Sequence, residues 1–190
     1  MTCIVAAVNK DGEVCMGCDS AGTSGADITI RQDKKMFSKG LFLIGYTGSY
    51  RTGQVLEFEW KPPTRQGTKD DMEYMVRKVV PSMTDILSEH ETTIIKDSEL
   101  EGNAILLVGY KSVIYQVGCD FQVGIRAKDG FSEFDKSYFD AIGSGGEVAI
   151  GSLYSTSSRK VSVHDRLRIA LQASAMYTAF VEPPFYFESL

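Results

Sequence analysis

The residues most able to do chemistry lie at the start of the chain, Met1-Thr2-Cys3. Loss of Met1 would leave Thr2 with a hydroxyl and a free α-amine on one residue. Such a residue supplies both a nucleophile and its base, the N-terminal-threonine form of covalent catalysis. A threonine hydroxyl is a weak nucleophile and needs a base within hydrogen-bond reach. An α-amine, with a reference pKa of about 7.7–8.0, keeps a useful neutral fraction near pH 7. Asp19 and Lys35 follow in the next strand-like segments, and Gly143-Ser144-Gly145-Gly146 lies between a strand pattern and a helix pattern. Each also has a plain reading. A threonine after Met1 is common, Asp19 could be a turn residue, Lys35 a solvated charge and Ser144 a helix N-cap.

Other chemistries fit less well. Cys15-Met16-Gly17-Cys18 has metal or redox spacing. However, the chain has two histidines, His90 and His164, and no second C-x-x-C. The segment also alternates like a strand, which sends residues three apart to opposite faces. Buried core thiols are the better reading. The glycine run lacks the last glycine of a dinucleotide loop, because position 148 is valine. Gly45 to Gly53 lacks the Gly-Lys-Ser/Thr end of a phosphate loop. No cofactor or metal is expected. A net charge of -5 with scattered basic residues gives no case for nucleic-acid binding. No apolar run reaches the roughly 20 residues of a membrane helix. The N-terminus has no signal-peptide pattern, so a cytoplasmic location is the default expectation.

With 190 residues, 43% of them hydrophobic, one domain over 1–190 is expected. Cys3 to Val8 and Val14 to Cys18 read as a hairpin around Asn9-Lys10-Asp11-Gly12. Gly22 to Gly25 reads as a loop, Ile28 to Ile30 as a short strand and Leu41 to Tyr46 as an apolar strand. Gly48 to Phe58 has helical spacing, with Val55, Leu56 and Phe58 inward. Trp60-Lys61-Pro62-Pro63 stops it. Asp70 to His90 is the longest amphipathic stretch, built on Met72, Met75, Val76, Val79, Val80, Met83, Ile86 and Leu87. Pro81 predicts a kink or a break there. A second hairpin spans Ala104 to Tyr110 and Val113 to Val117. Phe121 to Ile125 is a further strand, Lys128 to Lys136 a polar loop and Tyr138 to Ile142 a strand entering the glycine run. A helix carrying Val148, Ala149, Ile150 and Leu153 follows, then one capped by Ser162 from Val163 to Ala179. Phe185 to Phe187 closes the chain as a strand. This order fits an α+β fold of two stacked sheets with helical layers outside.

Thr2-Cys3-Ile4-Val5, Gly17-Cys18-Asp19-Ser20, Lys34-Lys35, Ile44-Gly45-Tyr46-Thr47-Gly48 and Ala141-Ile142-Gly143-Ser144-Gly145-Gly146, taken in order, carry a resemblance. So assembled, the chain resembles the proteasome β-subunit family of N-terminal-nucleophile hydrolases, and looks closest to bacterial and phage members including the HslV-type peptidase. The resemblance implies a four-layer αββα sandwich of two antiparallel sheets flanked by helices. It implies a threonine endopeptidase with Thr2 as nucleophile and its amine as base. Asp19 and Lys35 match the family's acidic and lysine positions. Gly45 matches the glycine whose N–H helps form the oxyanion hole, and Ser144 the serine near the terminal amine. Stacked homo-oligomeric rings, a polypeptide substrate and an AAA+ ATPase unfoldase are the implied partners.

Two departures keep alternatives open. The Thr2 to Asp19 gap is one longer than in many members, and a longer hairpin at Asn9 to Gly12 would account for it. Counting the shorter gap back from Asp19 lands on Cys3, a second possible N-terminal nucleophile. Late in the chain Ala175 stands where many proteasome subunits have an aspartate. By the same resemblance Gly22, Asp33, Phe37, Leu43 and Thr47 would line the pocket before the cut, with Asp33 favouring basic side chains if it faces in. The rival functions are an N-terminal-nucleophile amidase for a small amide, and a catalytically inactive scaffold of the same fold.

Overall fold

The computed structural model describes residues 1–96, 99–126 and 139–190. The apolar runs of the sequence form two antiparallel sheets. The first has strand order β12-β1-β2-β13, with β1 Ile4–Val8, β2 Val14–Cys18, β12 Phe139–Ile142 and β13 Tyr186–Ser189. The second has order β11-β10-β9-β6-β5, with β5 Met36–Lys39, β6 Phe42–Tyr46, β9 Leu106–Tyr110, β10 Val113–Val117 and β11 Val123–Ile125. Helices α1 Tyr50–Phe58, α2 Asp71–Tyr74 and α3 Val80–Glu89 precede β9, while α4 Gly146–Thr156 and α5 Val163–Tyr177 follow β12.

The period of two in a strand sorts the side chains into layers. Cys3, Val5 and Ala7 pack with Ala149, Leu153, Leu167 and Leu171 of α4 and α5. Ile4, Ala6 and Val8 face the other way and meet Leu43, Leu107 and Ile114 between the sheets. Phe42, Ile44 and Tyr46, on the far face of β6, pack with Val55, Leu56, Met75, Met83 and Leu87. Three cores between four layers make the αββα sandwich. Strands buried on both faces explain why β1, β2 and β6 read as apolar runs rather than as alternations. Each fully buried Ile or Leu contributes about 1.5–3 kcal/mol by leaving water.

Cys15 and Cys18 fall in different cores, on opposite faces of β2, and both are buried free thiols. Trp60 seals the outer helical layer. It is 1% exposed, meets Phe42 edge-on at 5.5 Å and donates from Nε1 to Ser82 Oγ at 2.9 Å.

Several expectations need correction. The loop expected at Gly22 to Gly25 is a strand, β3 Ala21–Ser24, paired with β4 Asp27–Ile30 around a turn whose Gly25 has φ +59°. The strand expected at Ile28 to Ile30 falls within β4, every residue of which is exposed. The α1 helix starts at Tyr50, where the Ser49 side chain caps Thr52 N–H, and Phe58 points outward at its end. The stretch after Asp70 is divided into two α-helices, with Pro81 in the first turn of the second, α3. A π-helical turn at Met75–Val79 joins α2 to α3, and Val80 N–H reaches Met75 O five residues back. The wider turn rotates Val76 out to solvent and keeps Met75, Val79, Val80 and Met83 inside. Strands β7 Thr93–Lys96 and β8 Glu99–Gly102 pair with each other and were not expected. The last helix ends at Tyr177 rather than Ala179, and the last strand is shifted to Tyr186–Ser189. Ser162 caps α5 as expected, accepting from Asp165 N–H. The polar loop at Lys128 to Lys136, and Tyr138, lie outside the described residues. Among the described residues no helix is long and apolar enough to cross a membrane.

Candidate active site

Four chain segments end at one edge of the sandwich, and each brings one polar group. Thr2 precedes β1, Asp19 follows β2, Lys35 precedes β5 and Ser144 follows β12. The registers dictate this. Ile4 pairs with Cys18 on one side and Ile142 on the other, so the ends of β1, β2 and β12 are level. The β1–β2 connection runs from Asn9 to Glu13, with Asn9 Oδ1 accepting from Asp11 and Glu13 N–H.

The Asp19 carboxylate is enclosed by donors. Its Oδ1 accepts from Cys3 N–H at 2.9 Å and from Lys35 Nζ at 2.7 Å, and its Oδ2 from Ala21 N–H at 3.0 Å. Both side chains of the Lys35–Asp19 pair are buried, at 1% and 0% exposure. Burial pulls the Lys35 ammonium below its usual value, against an upward pull from the Asp19 charge.

Thr2 lies over this pair. Its hydroxyl donates to Met1 O at 2.5 Å, and Lys35 Nζ reaches the same oxygen at 3.5 Å. Thr2 N–H donates to Ser144 Oγ at 3.3 Å. Thr2 O accepts from Gly145 N–H at 3.3 Å and from Ser144 Oγ at 3.4 Å. A side chain at Gly143, where φ is +94°, would collide with Thr2 O, so the glycine permits this close approach. The Met1 amine donates to Thr23 Oγ1 at 2.7 Å. Its pKa is lowered, first by burial and next by Lys35. With Met1 attached, the Thr2 nitrogen is an amide and is no base.

Thr2, Asp19, Lys35 and Ser144 thus share one site, and Gly45 does not join them. It sits inside β6, between Met36 and Leu107. Thr47 N–H donates to Ile105 O, so the alternation of an antiparallel ladder directs the Gly45 N–H at Leu107. The expectation that this N–H faces the site is not met. The glycine is there for packing, since a Cβ would lie 2.6 Å from Ile4 Cγ2 and 2.7 Å from Met16 Sδ.

The glycine three residues on is better placed. Gly48 lies just past the end of β6, with φ +84°, and Asn103 O leaves no room for a side chain there. Its N–H has no acceptor among the described residues. The preceding Thr47 has its methyl against Gly143, beside Thr2 O. Gly48 stands in the same Tyr46-Thr47-Gly48 run, but only the strand register separates the two glycines.

Cys3 is turned away. Its thiol faces Ser174 in the α4–α5 core, is fully buried, and burial pushes it up to about 12. Asp33 is held in a two-bonded ion pair by Arg31, whose guanidinium also covers the Tyr50 ring at 3.9 Å. Its charge is therefore already partnered. Among the described residues no group of three or more His, Cys, Asp or Glu side chains is gathered that could hold a metal ion.

A four-layer αββα sandwich that brings a threonine at the start of its first strand to a buried lysine–aspartate pair defines a class. The chain has the fold of the proteasome-type N-terminal-nucleophile hydrolases. It is similar to BPH of Thiobacillus denitrificans, solved in complex with epoxomicin, at 18% identity and TM-score 0.75, over 98% of this chain and 97% of that one. It is similar to the eukaryotic HslV from Trypanosoma brucei at 19% identity and TM-score 0.67, over 100% and 99%. It also matches Anbu, an ancestral β-subunit from Yersinia bercovieri, at 11% identity and TM-score 0.64, over 99% and 81%. No family model matches the chain, and no curated protein sequence matches it.

Proposed function

We propose that the protein is a threonine peptidase of the proteasome/HslV type, acting on unfolded polypeptides once Met1 is removed. The observation that carries this is the buried Lys35–Asp19 pair next to Thr2: Lys35 Nζ lies 2.7 Å from Asp19 Oδ1, which also accepts from the N–H of Cys3, the residue after Thr2. In this reading the freed Thr2 amine takes the hydroxyl proton and Oγ bonds to the substrate carbonyl carbon. Lys35 keeps that amine neutral by like-charge repulsion, and Asp19 fixes Lys35. Ser144 Oγ stays beside the Thr2 nitrogen. The Gly48 N–H, in place of Gly45, meets the oxygen that becomes negative. One such donor contributes about 3–4 kcal/mol to the transition state. Collapse expels the amine half of the peptide, which takes the proton, and water hydrolyses the acyl ester. Stacked rings of this chain, fed by an ATP-driven unfoldase, belong to the same reading.

A second reading, a scaffold of the same fold, is favoured by the way Met1 is held through its amine and its carbonyl. The test is intact mass followed by hydrolysis of fluorogenic peptides. A mass lower by one methionine, cleavage blocked by epoxomicin (the compound bound by BPH), and loss of cleavage in Thr2→Ala support the peptidase. Retained Met1 with no cleavage supports the scaffold. Hydrolysis of small amides alone, without ring assembly on sizing, would mean a small-molecule amidase. Full activity in Thr2→Ala sinks the threonine reading.

A further inference from the structure

Asp19 and Lys35 need support from outside the site, and the open side of the sandwich supplies it. There β13 is the edge of the first sheet and β5 the edge of the second. No backbone ladder joins two separate sheets, so side chains must. Glu188 lies opposite Met16 on the β2–β13 ladder, and Met16 is buried between the sheets. Opposed residues point to the same face, so Glu188 leans across the gap. Its carboxylate accepts from Lys34 Nζ at 2.6 Å and from Ser38 Oγ at 3.2 Å. These residues flank Lys35 on both sides.

The stretch before β13 grips the other charge. Ser20 is fully buried; its N–H donates to Glu182 O at 2.9 Å and its hydroxyl donates to Pro184 O. Ser20 stands between Asp19 and Ala21, and the Ala21 N–H is itself bound to Asp19 Oδ2.

We propose that residues 182–189 form a brace for the candidate site, with Glu188 the positioning residue for Lys35 and Ser20 the link to Asp19. Glu188 touches no reacting atom; it acts through Lys34 and Ser38. The Lys34–Glu188 pair is partly exposed, at 42% and 24%, so it adds little to stability. Its effect falls on geometry, to which catalysis is far more sensitive than folding is.

The activity arm of the test rests on the peptidase reading, so a second arm is independent of it. Glu188→Gln, Lys34→Met and the double variant are compared with Lys111→Met, which breaks the exposed Lys111–Asp71 pair elsewhere. Peptide hydrolysis is followed across pH. In parallel, the Lys35 side chain is titrated by NMR with ¹³Cε-labelled lysine, its signal assigned by its loss in Lys35→Met. The titratable groups facing Lys35 are Asp19, Cys3, Cys18, Asp33 and the amino terminus, all kept in Glu188→Gln. The brace predicts a kcat about two- to fivefold lower in Glu188→Gln at unchanged KM. It also predicts a double variant no worse than the worse single one, a shifted Lys35 titration and an unaffected Lys111→Met. Equal kcat in Glu188→Gln and wild type overturns it, as do additive losses. If the wild type cleaves no peptide, the peptidase reading falls, and the titration alone judges the brace. A Lys35 titration identical in wild type and Glu188→Gln would then overturn it.

Discussion

Replacing Asp19 by asparagine keeps an oxygen for only one of the Cys3 and Ala21 amides, which bind different carboxylate oxygens, and strands the Lys35 ammonium. That ammonium is 1% exposed and has Asp19 as its carboxylate partner. Removing one partner of a buried ion pair costs about 3–5 kcal/mol. With a urea m-value of about 2 kcal/mol/M, the unfolding midpoint should fall by about 1.5–2.5 M at pH 7. The loss should also depend on pH, with a definite sign. Lys35 is already lowered by burial in the wild type. Without the opposing charge its folded-state pKa drops further below the unfolded value. Between those two values the unfolded chain binds more protons, so stability rises with pH, by up to about 1.4 kcal/mol per unit. Urea titrations of Asp19→Asn and wild type at pH 7 and pH 9 measure this directly. The gap between them should narrow at pH 9. The double variant Asp19→Leu/Lys35→Met, which removes both charges, should recover much of the loss. A midpoint unchanged at pH 7, or a gap equally wide at both pH values, would refute the account of a desolvated pair.

Lys35→Met should leave peptide hydrolysis weak and move its acidic limb to higher pH, because the amine loses the positive neighbour that lowers its pKa; kcat/KM against pH reads this. Gly45→Ala should cost about 1–3 kcal/mol of stability by overpacking against Ile4 and Met16, read from the melting temperature. Gly48→Ala, which loses the left-handed turn, should reduce kcat by more than its melting shift explains. Cys3→Ala should retain hydrolysis, since the thiol faces Ser174; loss of all activity with the fold intact would restore Cys3 as a nucleophile.

What could be read from the chain, and what could not, follows from burial. Ile4 to Val8, Val14 to Cys18 and Leu41 to Tyr46 were legible because strands covered on both faces must be apolar throughout. Of the β3–β4 hairpin only the second strand, around Ile28 to Ile30, was legible; the small residues of β3, Ala21–Ser24, read as a loop. Val76 fitted a helical stripe and still points outward, since a π turn changes the rotation per residue without changing composition. At the site, the residue types and order of Thr2, Asp19, Lys35 and Ser144 suggested the cluster only when taken together. Gly45 and Gly48 are equivalent as letters; register alone puts one inside a ladder and the other at its end. The grip of Glu188 on Lys34 spans 154 positions, and no local pattern announces a contact that distant.

Trp60 is the chain's one tryptophan, and it is sealed in the layer made by α1 to α3, against Phe42. The molecule therefore carries a single indole, which can be excited selectively over its nine tyrosines, on the side of the sandwich remote from α4 and α5. Its emission should be blue-shifted in the native state and should red-shift when that outer layer opens. Loosening confined to the α4–α5 layer should leave it unchanged. Fluorescence and far-ultraviolet circular dichroism, followed on one denaturation curve, would then resolve whether the two helical layers melt together or in turn.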